Sequence, residues 1–194
     1  MTKFAVLISG RGTNMKAIGR AVLDERLKAV LAFVASDVPH APGLALAEKM
    51  GFPTDILPYS SGGRSAGEEA IIRLCRSYRA EWIILAGFMR ILSPEFVRSH
   101  KNRIVNIHPS LLPSFPGTDG IGDAWRRGVK ITGVTVHLVD EGVDSGPILA
   151  QKAVPVHPGD DIASLEKRIH RAEHALYWKT LSGLFSGTLS PERR

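Results

Sequence analysis

The chain has 194 residues, 44% of them apolar and 23% charged, which excludes a disordered tail, a collagen-like fibre and a disulfide scaffold. One domain of this size buries roughly 70% of the surface its unfolded chain exposes, so it holds together without staples. The formal net charge of +6 suits nucleic acid or an anionic small molecule; the basic residues form pairs rather than a run, with no interleaved aromatic stripe, which favours the small molecule.

Met1-Thr2-Lys3 leads directly into an apolar run at 4–8, so no cleavable signal is expected. Similar short runs at 29–35, 82–86 and 104–107 read as buried strands of a parallel sheet, although periodicity alone leaves helix open. Amphipathic stretches at 14–25, 43–50 and 68–78 separate them, and strand–helix alternation at this spacing predicts βαβ units. Between the first strand and helix stands Ser9-Gly10-Arg11-Gly12-Thr13-Asn14. Its glycines and the following helix start suit a phosphate; the alternative is a tight turn with Thr13 or Asn14 as N-cap. The spacing is neither the Walker nor the dinucleotide pattern.

Cys75, the single cysteine, lies in the third helix, so neither an intramolecular disulfide nor a Cys-Cys metal site is available; no metal is expected, and the cytosol is the expected compartment. The turn 86–94 carries Phe88, Met89, Ile91 and Leu92 where polar residues are usual. It either meets a flat heteroaromatic ligand or is buried under a helix at 94–99. At the C-terminal end of the fourth strand, Asn106 and His108 are two apart and face one side of the sheet, as a pair gripping a developing oxyanion would. The alternative is an ordinary strand end.

Residues 110–122 lack any period and read as a long loop. A strand at 132–139, an acidic glycine-rich turn at 140–147 and a second strand at 148–154 follow. The carboxylates of that turn matter only if folding brings one to His108, and the six other histidines show no metal-ligand spacing. A helix at 162–185, capped by Asp160 or Asp161, closes a single domain ending at residue 186, with 187–194 expected to fray. No stretch approaches the ~18 apolar residues of a membrane helix.

Taken together, Ser9-Gly10-x-Gly12-Thr13-Asn14, Gly87-Phe88-Met89-Arg90-Ile91-Leu92, Asn106-x-His108-Pro109-Ser110-Leu111-Leu112-Pro113 and the 140–146 turn resemble the phosphoribosylglycinamide formyltransferases, within the folate-dependent formyltransferases. The resemblance runs from about Phe4 to Trp178. It implies an α/β fold with a mostly parallel twisted sheet of about seven strands flanked by helices, Rossmann-like in its N-terminal half. The implied activity is transfer of a formyl group from 10-formyltetrahydrofolate to 5-phosphoribosylglycinamide in purine synthesis, without a metal. A formyl-folate hydrolase or another formyltransferase using the same trio is the alternative.

By resemblance, Asn106, His108 and Asp144 are catalytic. Gly12, Thr13, Asn14, His170, Arg171 and Glu173 bind the acceptor. Arg64, Met89, Arg90, Ile91, Leu92, Asn106 and the turn residues Asp140, Glu141, Gly142, Val143 and Asp144 meet the folate. The partners implied are small molecules, not nucleic acid or membrane, and the chain is a monomer or homodimer. Ser114 and residues 118–122 depart from many relatives, which often carry a basic residue and histidines there.

Overall fold

Apolar runs with no polar alternation need cover on both faces. In the computed structural model, which describes residues 1–190, such runs become the central strands of the first half. The chain divides into two compact units, Met1–Val105 and a second beginning at Asn106. The first contains β1 (Lys3–Ile8), β2 (Val30–Ser36), β3 (Thr54–Ile56) and β4 (Trp82–Leu85) in the spatial order β3-β2-β1-β4. The β1–β2, β1–β4 and β2–β3 ladders are all parallel. Phe4, Leu7, Ile8, Phe33, Ile83 and Ile84 are completely or almost completely buried. The helices α1 (Thr13–Leu23), α2 (Pro42–Lys49), α3 (Tyr59–Tyr78) and α4 (Pro94–Ser99) supply the crossovers. Strand β5 (Ile104–His108) straddles the division between the units.

The second unit orders β5, β6 (Ile131–Leu138) and β7 (Ile148–Pro155) side by side, with β6 and β7 antiparallel from Ile131 opposite Pro155 to His137 opposite Ile148. Helices α5 (Gly120–Arg127) and α6 (Ile162–Phe185) complete it, and α6 packs on β6 and β7 through Leu165, Ile169, Ala172, Tyr177 and Leu181. Asp161, not Asp160, caps α6: its side chain accepts from Ser164 N while Ser164 Oγ accepts from Asp161 N, a complete capping box. Asp160 instead receives Arg168, at 2.6 Å, and this hydrogen bond holds its carboxyl well below the usual carboxylate range.

Three elements depart from the sequence reading. The expected loop at 110–122 ends early, because α5 begins at Gly120 with Asp119 accepting from Gly122 N as N-cap. The third helix begins at Tyr59 rather than residue 68 and breaks at Gly63, whose φ of 71° and ψ of −165° no helix admits. The three-residue, largely exposed β3 has no apolar signature to announce it. Beyond α6, Leu189 N donates to Gly183 O at 2.9 Å, so residues 187–190 turn back on the helix end. The remainder of the expected tail, 191–194, lies outside the described residues. Among the described residues no helix is long and apolar enough to cross a membrane.

Candidate active site

Alternation along β5 puts Asn106 and His108 on one face, and folding of the second unit delivers Asp144 to them. The turn that carries Asp144 is built rather than loose. Asp140 Oδ1 accepts from Gly142 N and Ser145 Oγ, and Leu138 N donates to Pro147 O. A Cβ on Gly146 would run into the Leu138 carbonyl, so only glycine closes this turn. Asp144 itself sits at φ 52°, a left-handed conformation a non-glycine residue adopts only when its surroundings enforce it.

The resulting cluster joins four side chains and one backbone amide. Asp144 Oδ2 lies 3.3 Å from His108 Nδ1 and accepts from Gly117 N at 2.8 Å. Asp144 Oδ1 accepts from Asn106 Nδ2 at 3.4 Å and lies 3.5 Å from His137 Nε2. His108 Nε2 donates to Phe115 O at 2.7 Å, so one ring nitrogen is committed to a carbonyl and Nδ1 is the one that faces Asp144. Both ring nitrogens face oxygen atoms, Phe115 O and Asp144 Oδ2. The histidine is 4% exposed. Burial pushes the Asp144 carboxyl up, but the hydrogen bond from the Gly117 amide and the charge of the His108 imidazole act against it, and the group is held below its ordinary value.

Sequence reasoning missed two members of this cluster. His137, two per cent exposed, donates from Nδ1 to Leu138 O, which leaves Nε2 as an acceptor 3.2 Å from Asn106 Nδ2. That contact orients the amide. Its one signal was a histidine inside a strand that is buried from Thr132 to Leu138. The second is the Phe115 carbonyl, held inward by a left-handed residue at φ 55°. Gly120 is shaped by the same ring, because a Cβ there would come within 2.9 Å of His108 Nε2.

Some of the residues expected from the sequence to bind the acceptor belong to the first unit and some to the second. In the first, α1 is capped by Gly12 at φ 69° with no side-chain cap, so neither Thr13 nor Asn14 serves as N-cap and the first-turn amides are left for another acceptor. Asn14 is buried, with an Oδ1 that has no hydrogen-bond partner. In the second, α6 presents His170 and Glu173 one turn apart, with His170 Nδ1 2.6 Å from the buried Glu173 Oε2, while Arg171 is exposed.

Among the residues expected to meet the folate, the turn after β4 splits the two readings. Phe88 and Leu92 are buried, whereas Met89 and Ile91 are 66% and 67% exposed. Arg90 Nε donates to Asp37 at 2.6 Å, and its guanidinium stands 5.5 Å from the Tyr59 ring centroid. Arg64 is exposed at the start of the helical segment that follows the Gly63 break. Glu141, Gly142 and Val143 are exposed, while the Asp140 side chain is engaged within its own turn. Among the described residues no three His, Cys, Asp or Glu side chains are grouped to hold a metal ion.

Residues 2–181 match the family model described as "Formyl transferase". The chain belongs to the formyl transferase family. It is 44% identical over 178 residues to a phosphoribosylglycinamide formyltransferase of Bacillus subtilis, covering 91% of each chain. It superposes on a glycinamide ribonucleotide transformylase from Geobacillus kaustophilus with a TM-score of 0.91 at 45% identity, covering 95% of this chain and 98% of that one. It is also 43% identical to a trifunctional purine biosynthetic protein of Drosophila melanogaster, spanning 98% of this chain but 14% of that protein. The α/β fold with seven strands, mostly parallel and flanked by helices, is that of these transformylases.

Proposed function

We propose that the chain, through residues 1–186, transfers the formyl group of 10-formyltetrahydrofolate to the amine of 5-phosphoribosylglycinamide, giving formylglycinamide ribonucleotide and tetrahydrofolate in purine synthesis. The observation that carries this reading is the Asp144 carboxylate set 3.3 Å from His108 Nδ1 with the Asn106 amide beside it, in a chain of the formyl transferase family.

The reaction forms one carbon–nitrogen bond, breaks another, and develops negative charge on the formyl oxygen between the two events. His108 Nδ1–H and the Asn106 amide are the donors for that oxygen, each worth on the order of 3 kcal/mol in a water-excluded site. Their contacts to Asp144, at 3.3 and 3.4 Å, are long and loose, as catalytic hydrogen bonds often are before substrate arrives. Phe115 O fixes the ring orientation and Asp144 keeps its second proton in place. Overall the acceptor amine loses a proton and the departing folate nitrogen gains one; Asp144 is the one carboxylate of the trio placed to take the first and pass it on.

In this reading Gly12, Thr13 and Asn14 bind the acceptor's phosphate through the uncapped start of α1, and His170, Arg171 and Glu173 bind the acceptor further along. Met89, Arg90, Ile91, Leu92 and Arg64 meet the folate, as do Asn106 and residues 140–144. The solvent-exposed apolar side chains of Met89 and Ile91 support this for a flat heterocycle. The protein acts on these small molecules in the cytosol as a monomer or homodimer, without nucleic acid or membrane.

The test is to mix the protein with 10-formyltetrahydrofolate, with and without the acceptor, and to follow deformylated folate and formylated acceptor. Transfer that requires the acceptor, and that falls by more than tenfold in His108→Ala, is expected. Deformylation at the same rate without the acceptor identifies a hydrolase instead.

A further inference from the structure

The mechanism above leaves unused a set of buried polar groups in the first unit. Ser9 follows β1, Asp37 follows β2 and Gly87 stands two residues past β4. These strands are parallel neighbours, so the three positions lie at one edge of the sheet, where open α/β sheets place their ligands. Ser9 N donates to Gly87 O at 2.9 Å. Asp37, whose side chain is 3% exposed, divides its two oxygens: Oδ1 accepts from Ser9 Oγ and Oδ2 accepts from Arg90 Nε at 2.6 Å. Ser9 Oγ in turn accepts from Met89 N at 2.8 Å. One carboxylate therefore fixes the backbone at residue 89 and the side chain at residue 90.

The far end of the same segment is fixed in the same manner. Both oxygens of the buried Glu68 accept from Ser93, one from its N–H and one from its hydroxyl, each at 2.6 Å. Ser93 Oγ also caps α4 by accepting from Phe96 N. Between the two anchors, exposed Met89 and Ile91 project from a backbone that has little freedom left. Beneath them lies Tyr59, edge-on to Phe88 and under Arg90, with a buried hydroxyl that has no hydrogen-bond partner. Two buried carboxylates and a buried unpaired phenol are an unfavourable way to support a connecting turn. They are a reasonable way to hold a binding surface in one shape before the ligand arrives.

We propose that Asp37, acting through Ser9 and Arg90, is the positioning residue for formyl-folate recognition; this rests on the reading that residues 89–92 meet the folate. The acceptor does not depend on it.

The experiment uses the full chain with Asp37→Asn, Ser9→Ala and both together. Steady-state rates are measured with each substrate varied in turn, and tetrahydrofolate binding is measured by calorimetry. Asp37→Asn keeps the shape and removes the charge, so the KM for 10-formyltetrahydrofolate and the Kd for tetrahydrofolate should both rise roughly tenfold, the effect of one charge-assisted hydrogen bond. The KM for the acceptor and kcat should stay within about twofold. Ser9→Ala, which leaves the Asp37–Arg90 pair in place, should raise the folate constants a few-fold, and the double variant should fall short of the product of the two effects. If Asp37→Asn does not fold, the split between the two KM values in Ser9→Ala decides. Equal rises in both KM values, or no change in the folate constants, overturn the proposal. A wild-type protein that binds tetrahydrofolate but transfers no formyl group refutes the proposed reaction instead, and the calorimetric comparison still judges the role of Asp37.

Discussion

Replacing Asp144 with asparagine preserves the side chain's shape and removes its charge. At 3.3 Å from His108 Nδ1, the ion pair is worth about 5 kcal/mol at an effective dielectric near 20. The desolvation of a half-buried carboxylate offsets much of that, leaving the ~1.5–3 kcal/mol typical of a hydrogen bond to a charged group. We expect kcat to fall by about ten- to a hundredfold, with both KM values nearly unchanged, because the loss is felt where charge develops. The pH dependence separates the possible causes. The wild-type carboxyl is held below its ordinary value, so it stays ionised through the mildly acidic range. An acid limb of activity there belongs to protonation of the acceptor amine, and Asp144→Asn should keep it. Stability behaves differently. A depressed carboxyl contributes stability that is present above the unfolded-state value near 4 and is lost as pH falls through the folded value. Urea unfolding at pH 7 and pH 3 should show a steeper acid loss in wild type than in the variant. A kcat within twofold of wild type at pH 7.5 would refute the electrostatic role assigned to Asp144.

Other outcomes follow from single features. A side chain at Gly12 meets Gly43 Cα at 2.9 Å on a backbone at φ 69°; Gly12→Val should cost about 2–4 kcal/mol of stability in urea unfolding. In calorimetry the same variant should lose acceptor binding while keeping tetrahydrofolate binding. Asp161→Ala removes the side-chain half of the α6 capping box and should lower stability by about 1 kcal/mol without changing kcat. Burial pushes the Cys75 thiol up to about 11, so mass spectrometry should find it resistant to iodoacetamide at pH 8 in the native protein and modified in urea.

The parallel core was legible because β1, β2 and β4 are apolar without alternation, a pattern that only two-sided burial permits. The cap of α6 was legible to within one residue because Asp160 and Asp161 are adjacent and both acidic. Helix α5 was hidden by its own glycines: Gly120 and Gly122 carry low helix propensity, and the reason for Gly120 is the imidazole of His108, twelve residues earlier. The meeting of Asp144 with His108 depends on a turn closed by Gly146 and on a left-handed backbone at Asp144 itself. No local pattern announces such a long-range juxtaposition, and it entered the reading only through family resemblance. His137 was set aside for lack of metal-ligand spacing, which is the wrong question for a histidine that accepts a hydrogen bond from Asn106.

The close seat of Gly120 against His108 also bears on how this protein can change over time. Position 120 is a site where helix stability and the seating of the His108 ring pull in opposite directions. Alanine there would favour the first turn of α5 by roughly 1 kcal/mol, yet its methyl group would stand 2.9 Å from the ring nitrogen. Selection for a sturdier helix is thereby opposed by selection for a correctly held imidazole. A substitution at this position therefore requires α5 to shift first, which ties the history of one glycine to that of the whole 114–127 segment.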